Sequence, residues 1–377
     1  MKTHVHNSIL ELSPEAWSAL APKNFPFWDY EFLRALEVSG SLGRRTGWYP
    51  RIEARYDQDR LVGAAVSFQK TNSYGEYIFD FQWAQAYEHH GGRYYPKRVM
   101  AVPFTPATGP RLLGEGNFPH EIAERARAEG DSSVHALFIA EEEIPRFEEA
   151  GYLIRHSYQY HYLRPTEDRN FADYLARFKA KRRREIRRER EEVAASGVRI
   201  ERLTGNELTP EHGELMAELY GLTVEKRGGH EYLTPEFFTE IFKTMKDRIL
   251  FVLARDAQGE PVAGALNFIK GDTLFGRHWG ARAAYRSLHF ELCYYQGLEY
   301  VFEKGLRLFE AGAQGEHKFL RGFLPRLTYS AHRIFDPRFE EAIRDFVVAE
   351  RNQIAELFDI YRAQSPLNST SGKFPES

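Results

Sequence analysis

The sequence predicts an α+β fold built from two copies of one unit. Residues 61–70 and 261–270 are near-repeats, because LVGAAVSFQK in the first half is echoed by PVAGALNFIK in the second. Each copy follows a short strand and a turn, and each leads into an aromatic segment with a tryptophan, Trp83 or Trp279. The copies lie too far apart for a solenoid repeat, whose period is ~20–50 residues. Hairpins with helices beside them, present twice, predict mixed sheets covered by helices rather than one doubly wound sheet.

Hydrophobic periodicity predicts the elements of a first domain over residues 1–165 and a second domain over 166–362. In the first domain we expect helix 27–39, strands 51–57, 61–70, 76–83 and 98–102, helix 119–129, and strands 134–139 and 155–163. In the second we expect a long charged helix 170–195, helices 211–227 and 235–245, strands 249–255, 261–270 and 273–280, helix 288–304, strand 306–311 and helix 339–358. Residues 363–377 are rich in Ser, Pro and Gly and are predicted to be a disordered tail.

The composition predicts a soluble, cytoplasmic protein. The chain has 377 residues, of which 42% are hydrophobic, so two sizeable cores can be built. Its net charge of −3 gives no overall bias toward nucleic acid or anionic membranes. One cysteine, Cys293, excludes an internal disulfide, and no His spacing is typical of a transition-metal site, so we predict no metal. No apolar run approaches the length of a membrane span.

The densest set of reactive side chains follows the predicted strand 306–311. A glycine-rich loop there carries an acid, an amide, an imidazole, an ammonium and a guanidinium: Glu310, Gln314, His317, Lys318 and Arg321. Binding and catalytic groups gather in such loops at strand ends. The alternative is an ordinary surface turn, but the polar variety favours a functional site.

A basic run over residues 179–190 holds eight basic residues against two acids. It is either a solvated helix anchored by residues such as Ile186, or a site for an anionic partner such as a phosphate, a diphosphate or an RNA backbone. Both interpretations stay open, and Arg183 and Arg187 are the candidate contacts in the second.

A third cluster joins the strand 273–280 to the helix 288–304. Alternation places Arg277 and Trp279 on one face of the strand, and Glu291 shares a helical face with Tyr294 or Tyr295. A Glu buried among aromatic rings has a raised pKa and can act as an acid or base. The alternative is that Glu291 forms a structural ion pair with Arg277. Cys293 is expected to be a small core residue.

In the first domain, a rigid Pro-rich loop over residues 102–111 follows a tyrosine-rich stretch. Tyr95, Thr105 and Arg111 are the candidates to line a cleft wall there. Ordinary packing is the alternative, because Tyr and Pro are common in such loops.

The order of elements resembles the acyltransferase fold of the GNAT superfamily, and two copies joined by a charged helix resemble FemAB-type ligases. The chain most resembles the FemAB-like predicted N-acyltransferases, described as peptidoglycan biosynthesis or recognition proteins. The segments that carry the resemblance are 36–41, 73–77, 94–97, 102–111, 276–280, 288–295 and 312–323. They include Ser73-Tyr74-Gly75-Glu76-Tyr77 and Gly312-Ala313-Gln314-Gly315-Glu316-His317-Lys318.

This resemblance implies tandem GNAT-like domains that transfer an acyl or aminoacyl group to an amine, with a peptidoglycan precursor as one acceptor. It implies no tightly bound cofactor, and an acyl-CoA or an aminoacyl-tRNA as the co-substrate. Arg183 and Ile186 match an Arg-x-x-Ile pattern that, in FemAB-type ligases, is associated with the binding of a nucleotide-linked cell-wall precursor. The Gly-rich turn with which GNAT enzymes bind the CoA pyrophosphate is absent, because residues 279–285 read WGARAAY.

Two hypotheses follow. In the first, the protein is an N-acyltransferase in which Glu310 or His317 is the base, Lys318 and Arg321 stabilise charge, and Gln314 donates an amide hydrogen bond. Arg277 and Glu291 would orient the substrate. In the second, the protein binds a peptidoglycan precursor or RNA without catalysis, through the basic helix and the first-domain cleft.

Overall fold

A computed structural model describes residues 1–313 and 315–368 of the chain. The described residues form two compact units. The first unit contains Met1–Tyr158 and Leu327–Phe358, and the second contains Gln159–Arg326 and the described residues from Asp359 onward. The chain thus passes between the units three times, whereas one crossing at residue 165 was expected.

Strands and helices alternate irregularly along the chain, as an α+β fold requires. The strands are β1 (Lys2–His6), β2 (Trp48–Asp57), β3 (Arg60–Lys70), β4 (Lys97–Met100), β5 (Leu112–Gly114), β6 (Ser133–Ile139), β7 (Leu153–Leu163), β8 (Arg199–Leu203), β9 (Ile249–Arg255), β10 (Pro261–Lys270), β11 (Thr273–Ala281), β12 (Leu308–Glu310) and β13 (Leu324–Ile334). The helices are α1 (Pro14–Leu20), α2 (Tyr30–Val38), α3 (Phe81–His89), α4 (Phe118–Ala128), α5 (Ile144–Glu149), α6 (Phe171–Ala176), α7 (Ala180–Ala195), α8 (Pro210–Lys226), α9 (Pro235–Thr244), α10 (Leu288–Phe290), α11 (Gln296–Lys304) and α12 (Pro337–Ala363).

The two units have the same strand order, which confirms the predicted duplication of the fold. In the first unit the order is β1-β2-β3-β4-β6-β13, and in the second it is β8-β9-β10-β11-β12-β7. All neighbours are antiparallel except β4 with β6 and β11 with β12, which are parallel. The near-repeats of the sequence are β3 and β10, each the second strand of a hairpin.

Each unit is completed by a strand from the other half of the sequence. In the first unit Tyr329–Ile334 of β13 pairs with β6, and in the second Leu163 of β7 pairs with Leu308 of β12. This exchange explains why residues 327–358 lie in the first unit, although the expected boundary assigned them to the second.

One predicted strand is wrong. Residues 76–83 do not form a strand, because the chain begins helix α3 at Phe81. Trp83, Ala84 and Tyr87 of that helix bury their side chains against Phe339 of α12 in the first-unit core. Their spacing is helical, and the helix formers Gln82, Gln85 and Ala86 occupy the exposed face.

The predicted charged helix 170–195 is two helices. α6 ends at Ala176 and α7 begins at Ala180, with extended backbone at Lys179. Phe178, between the two helices, pairs with Leu367, which is buried. The expected disorder therefore does not reach Leu367, and residues 369–377 of the predicted tail lie outside the described residues.

The second-unit core packs α8 and α9 onto the strands. Phe238 and Phe242 of α9 are fully buried, and Phe242 meets Phe251 of β9 edge to face. Helix α8 packs closely on β11 because residue 280 is a glycine. A Cβ at Gly280 would lie 1.9 Å from the Leu219 carbonyl of α8. The close approach holds the last residues of β11 against α8.

Candidate functional site

The candidate site lies where β11 and β12 of the second unit diverge. The strands pair in parallel from Thr273 with Leu308 to Phe275 with Glu310. β11 then continues to Ala281, while the chain after Glu310 leaves the sheet. Two parallel strands that separate in this way open a cleft between them, and the predicted glycine-rich loop begins there, directly after β12.

An ion pair is buried at the base of this cleft. Arg277 Nη2 donates to Glu310 Oε1 at 3.2 Å, and the side chains are 3% and 1% exposed. Arg277 Nη1 also donates to the Gly276 carbonyl at 2.7 Å. Breaking a buried pair of this kind leaves an uncompensated charge. Glu310, predicted as a base, is therefore held as the counter-ion of Arg277, which was predicted to bind substrate.

Lys318 is buried beside this ion pair. Its ammonium donates to the Gly312 carbonyl at 2.7 Å, and the residue is 3% exposed. Burial, followed by the positive charge of Arg277, lowers the pKa of Lys318 to about 7. An amine with such a pKa exchanges protons near neutral pH, so Lys318 can act as a base as well as a charge stabiliser.

His317 faces an aromatic cluster at the same loop. Its Nε2 lies 2.8 Å from the Tyr294 hydroxyl, and its ring contacts His289 and Phe290. Burial, followed by the charges of Arg321 and Lys318, lowers the pKa of His317 to about 4. His317 is thus neutral at pH 7 and bonded to a phenol. Gln314, predicted as an amide donor, lies outside the described residues.

Arg321 holds the loop in place. The loop forms a 3₁₀ turn over Glu316–Arg321, and the Arg321 guanidinium closes it by donating to the His317 carbonyl at 2.9 Å. The same guanidinium donates to both carboxylate oxygens of Glu189 on α7, at 2.7 and 3.2 Å, and to the Tyr295 hydroxyl at 3.0 Å. Because its donors are engaged by the protein, Arg321 orients the loop, whereas it was predicted to stabilise charge on the substrate.

Glu291 has a different partner from the one considered in the sequence. Its carboxylate accepts from Arg190 of α7 at 3.1 and 3.2 Å and from Gln296 at 2.8 Å, while Arg277 pairs with Glu310. Glu291 opens a π-helical turn, Glu291–Tyr295, between α10 and α11. Such a turn widens the helix locally and is frequent at functional sites.

Trp279 lies on the strand that borders the cleft. Its ring meets His289 edge to face, with centroids 5.1 Å apart, and its carbonyl accepts from Thr223 at 2.7 Å. Cys293 lies in the π turn and is partly buried, and this burial raises the pKa of its thiol.

The basic helix α7 has an inner and an outer face. On the inner face Arg182 donates to the Leu320 carbonyl, Glu189 and Arg190 pair with Arg321 and Glu291, and Ile186 is fully buried. The outer face carries four basic side chains that have no side-chain partner among the described residues: Lys181, Arg183, Arg184 and Arg187. Arg187 also lines a groove of about 530 Å³ together with Arg190, Glu291 and the apolar side chains of Phe171, Leu175 and Val193.

The candidates of the first unit have structural partners. Arg111 is 1% exposed and donates to the carbonyls of Leu137, Gly109 and Ala107, so it clamps the Pro-rich loop instead of facing a cleft. Thr105 is buried and donates to the Pro103 carbonyl at 3.0 Å. The third candidate, Tyr95, is half-buried, and its hydroxyl lies 2.7 Å from Ser73 Oγ.

Within residues 1–313 and 315–368, no group of three or more His, Cys, Asp or Glu side chains could hold a metal ion. None of the helices in this part of the chain combines the length and the apolar character that crossing a membrane requires.

The sequence did not single out Glu189 and Tyr295 as a unit with Arg321. Glu189 is one of the two acids in the basic run and lies three residues after the buried Ile186, and this spacing puts it on the same helical face. That spacing was the usable indication that this acid pairs internally.

The structure shows one strand order repeated in two units, and comparisons with known proteins identify the family. The chain matches the FemAB_like family, described as peptidoglycan biosynthesis/recognition, over residues 8–369, and therefore belongs to it. FemX is similar in structure, with 12% identity, a TM-score of 0.51, and coverage of 91% of this chain and 100% of FemX. So is the C-terminal domain (DUF2156) of a putative lysylphosphatidylglycerol synthetase from Agrobacterium fabrum, with 12% identity, a TM-score of 0.55, and coverage of 91% and 95%. At these identities the likeness shows the fold. Among curated proteins, none matches the sequence significantly.

Proposed function

We propose that the second unit transfers an acyl or aminoacyl group from an activated donor to a primary amine, with Lys318 as the base. The observation that carries this proposal is the buried Lys318 amine, with a pKa of about 7, at the point where β11 and β12 diverge. The family supports a role in peptidoglycan biosynthesis or recognition, and a cell-wall precursor is the acceptor that we propose.

In the proposed reaction the acceptor nitrogen attacks the carbonyl carbon of the donor ester or thioester. Neutral Lys318 takes a proton from that nitrogen, and the carbonyl oxygen gains negative charge in the tetrahedral intermediate. The carbon–oxygen or carbon–sulfur bond to the donor then breaks, and the Lys318 ammonium returns the proton to the leaving oxygen or sulfur. Arg277, paired with Glu310, supplies positive charge near the developing oxyanion.

The outer face of α7 is the proposed contact for the phosphates of the donor. Lys181, Arg183, Arg184 and Arg187 lie on one side of the helix and are not neutralised by acids of the described chain. Both an aminoacyl-tRNA and an acyl-CoA carry phosphates, which arginine and lysine bind.

Thermal-shift measurements identify which donor and which acceptor the protein binds. The ligands compared are acetyl-CoA, a long-chain acyl-CoA, an aminoacyl-tRNA and a UDP-linked muropeptide. A ligand at 100 times its Kd should stabilise the fold by about 2.7 kcal/mol.

The role of Lys318 is tested by two substitutions with different consequences. Lys318→Arg keeps the positive charge but stays protonated at neutral pH, whereas Lys318→Met removes the charge. If Lys318 is the base, both variants should lose about 100-fold or more in kcat, measured with the donor and acceptor that the thermal-shift experiment identifies. Lys304→Arg, at an exposed position, is the matched control. Activity retained in Lys318→Arg but lost in Lys318→Met would instead assign Lys318 to charge stabilisation.

A further inference from the structure

Three neighbouring aromatic side chains of the first unit are exposed. Tyr74, Phe79 and Phe81 are 49%, 56% and 38% exposed. The ring centroids of Tyr74 and Phe81 lie 5.9 Å apart, and those of Phe79 and Phe81 lie 6.1 Å apart with 23° between their planes. Among the residues that the structure describes, no other Phe, Tyr or Trp is exposed to this degree. We call these three rings the aromatic platform. A contiguous apolar patch of this kind typically marks a contact surface.

The backbone below the aromatic platform is held in place by buried donors. The Tyr74 carbonyl accepts from Lys70 Nζ and from Trp48 Nε1, both at 3.2 Å. The Phe79 carbonyl accepts from Arg155 at 3.1 Å. These bonds fix both ends of the segment that displays the rings. A surface ordered in advance loses less conformational entropy when a ligand binds to it.

A buried lysine holds the same segment from within. Lys97, which is 0% exposed, donates to Glu76 at 2.8 Å, to Ser73 at 2.9 Å and to the carboxylate of Asp80. Glu76 and Asp80 alternate with the outward-facing rings and point into the protein. These two acids between the rings are therefore neutralised internally and contribute no charge to the surface of the platform.

The segment that carries the platform has no lysine or arginine. Residues 71–92 contain neither Lys nor Arg, and Arg155, which supports Phe79, is paired with Glu350 through two hydrogen bonds of 2.7 and 2.8 Å. Helix α3 exposes the amides Gln82 and Gln85 and the acid Glu88, and Gln85 lies one helical turn after Phe81. RNA and anionic membranes both require cationic side chains at their contact surface. A neutral ligand fits this surface better.

We propose that the aromatic platform binds a neutral sugar ring. The apolar C–H face of a pyranose packs on an aromatic ring, and the Gln82 and Gln85 amides can donate to and accept from its hydroxyl or acetamido groups. This inference depends on the first unit alone and is independent of the reaction proposed for the second unit.

The test is direct binding of an oligosaccharide to the full chain, measured by isothermal titration calorimetry. The probe is N-acetylchitotetraose, and cellotetraose reports whether the acetamido group contributes. Phe79→Ala and Phe81→Ala should each weaken binding about tenfold, because each removes one stacked ring. Leu10→Ala is the matched control, since Leu10 is 52% exposed in the same unit but does not belong to the platform.

Circular dichroism confirms that each variant is folded before the comparison is made. The proposal is overturned if neither oligosaccharide binds saturably, or if Phe79→Ala and Phe81→Ala bind as tightly as the natural chain. Platform-dependent binding of poly-U RNA or of phosphatidylglycerol vesicles, without oligosaccharide binding, would also overturn it. Because no turnover is measured, the result is independent of the Lys318 experiments.

Discussion

The ion pair of Arg277 and Glu310 sets the charge around the Lys318 amine. The carboxylate of Glu310 raises the Lys318 pKa and the guanidinium of Arg277 lowers it, on top of the larger effect of burial. We predict that Glu310→Gln lowers the Lys318 pKa below about 7, because the stabilising negative charge is lost. The measurement is the pH dependence of Lys318 modification by an amine-reactive ester, followed by mass spectrometry with the exposed Lys243 as internal reference.

The same substitution should destabilise the second unit. It leaves the buried Arg277 without its counter-ion, which costs about 3 kcal/mol or more, measured by urea unfolding. Glu316→Gln in the same loop is the control, because Glu316 is exposed. In the modification experiment, a pH midpoint for Lys318 that is unchanged or raised in Glu310→Gln would show that Glu310 does not raise the Lys318 pKa.

At the residue scale, the sequence identified the chemically rich loop but not the pairing of its charges. Polar variety and glycine after a strand pointed to Glu310, His317 and Lys318, and the structure brings these residues to one cleft with Arg277. Their roles stay predictions. The partners of Glu291 and Arg321 come from α7, about a hundred residues earlier in the chain. Local periodicity contains no information about such long-range contacts.

At the scale of elements, α7 supports the candidate site through one carboxylate. Glu189 binds Arg321, and Arg321 binds the carbonyl of His317. We predict that Glu189→Gln loosens the turn Glu316–Arg321, because a neutral amide holds a guanidinium more weakly than a carboxylate does. A loss of about 1.4 kcal/mol in local stability corresponds to tenfold faster amide exchange.

The measurement is hydrogen exchange at two amides of the turn, those of Lys318 and Phe323, which donate to Gly315 and Lys318. Glu191→Gln is the control, because Glu191 lies on the same helix but is exposed. Equal exchange in both variants would show that Glu189 does not hold the loop. A fall in kcat without a change in KM would further assign it to positioning.

The sequence predicts those helices and strands best whose residues and turns are close together in the chain. Both hairpins were predicted correctly, because alternation and short turns specify them. Helix α3 was missed, because the aromatic residues around Trp83 favour a strand, and only packing on α12 shows the helical period. The exchange of β7 and β13 between units was not predictable, since either strand satisfies the same local pattern.

At the scale of the whole molecule, histidines held neutral by full or partial burial should determine the stability in acid. Burial lowers the pKa values of His135 in the first unit and of His161, His278 and His289 in the second to about 3. In the unfolded chain a histidine has a pKa of about 6.5. Between these values the unfolded state binds more protons than the folded state, so stability is full above pH 6.5 and falls as the pH decreases toward 3.

We predict that the urea midpoint falls from pH 7 to pH 5, with each histidine contributing up to about 1.4 kcal/mol per pH unit. His278→Phe tests the cause, because His278 packs between the rings of Tyr220 and Phe238 and a Phe there fills the space without titrating. This variant should show a shallower loss of stability in acid, whereas His120→Gln, at an exposed position, should follow the natural chain. An imidazole that takes up a proton only on unfolding must steepen the loss of stability with falling pH. A urea midpoint that stays constant between pH 7 and 5 would therefore mean that these histidines do not control the acid response. So would a His278→Phe variant whose urea midpoint falls with pH as steeply as that of the natural chain.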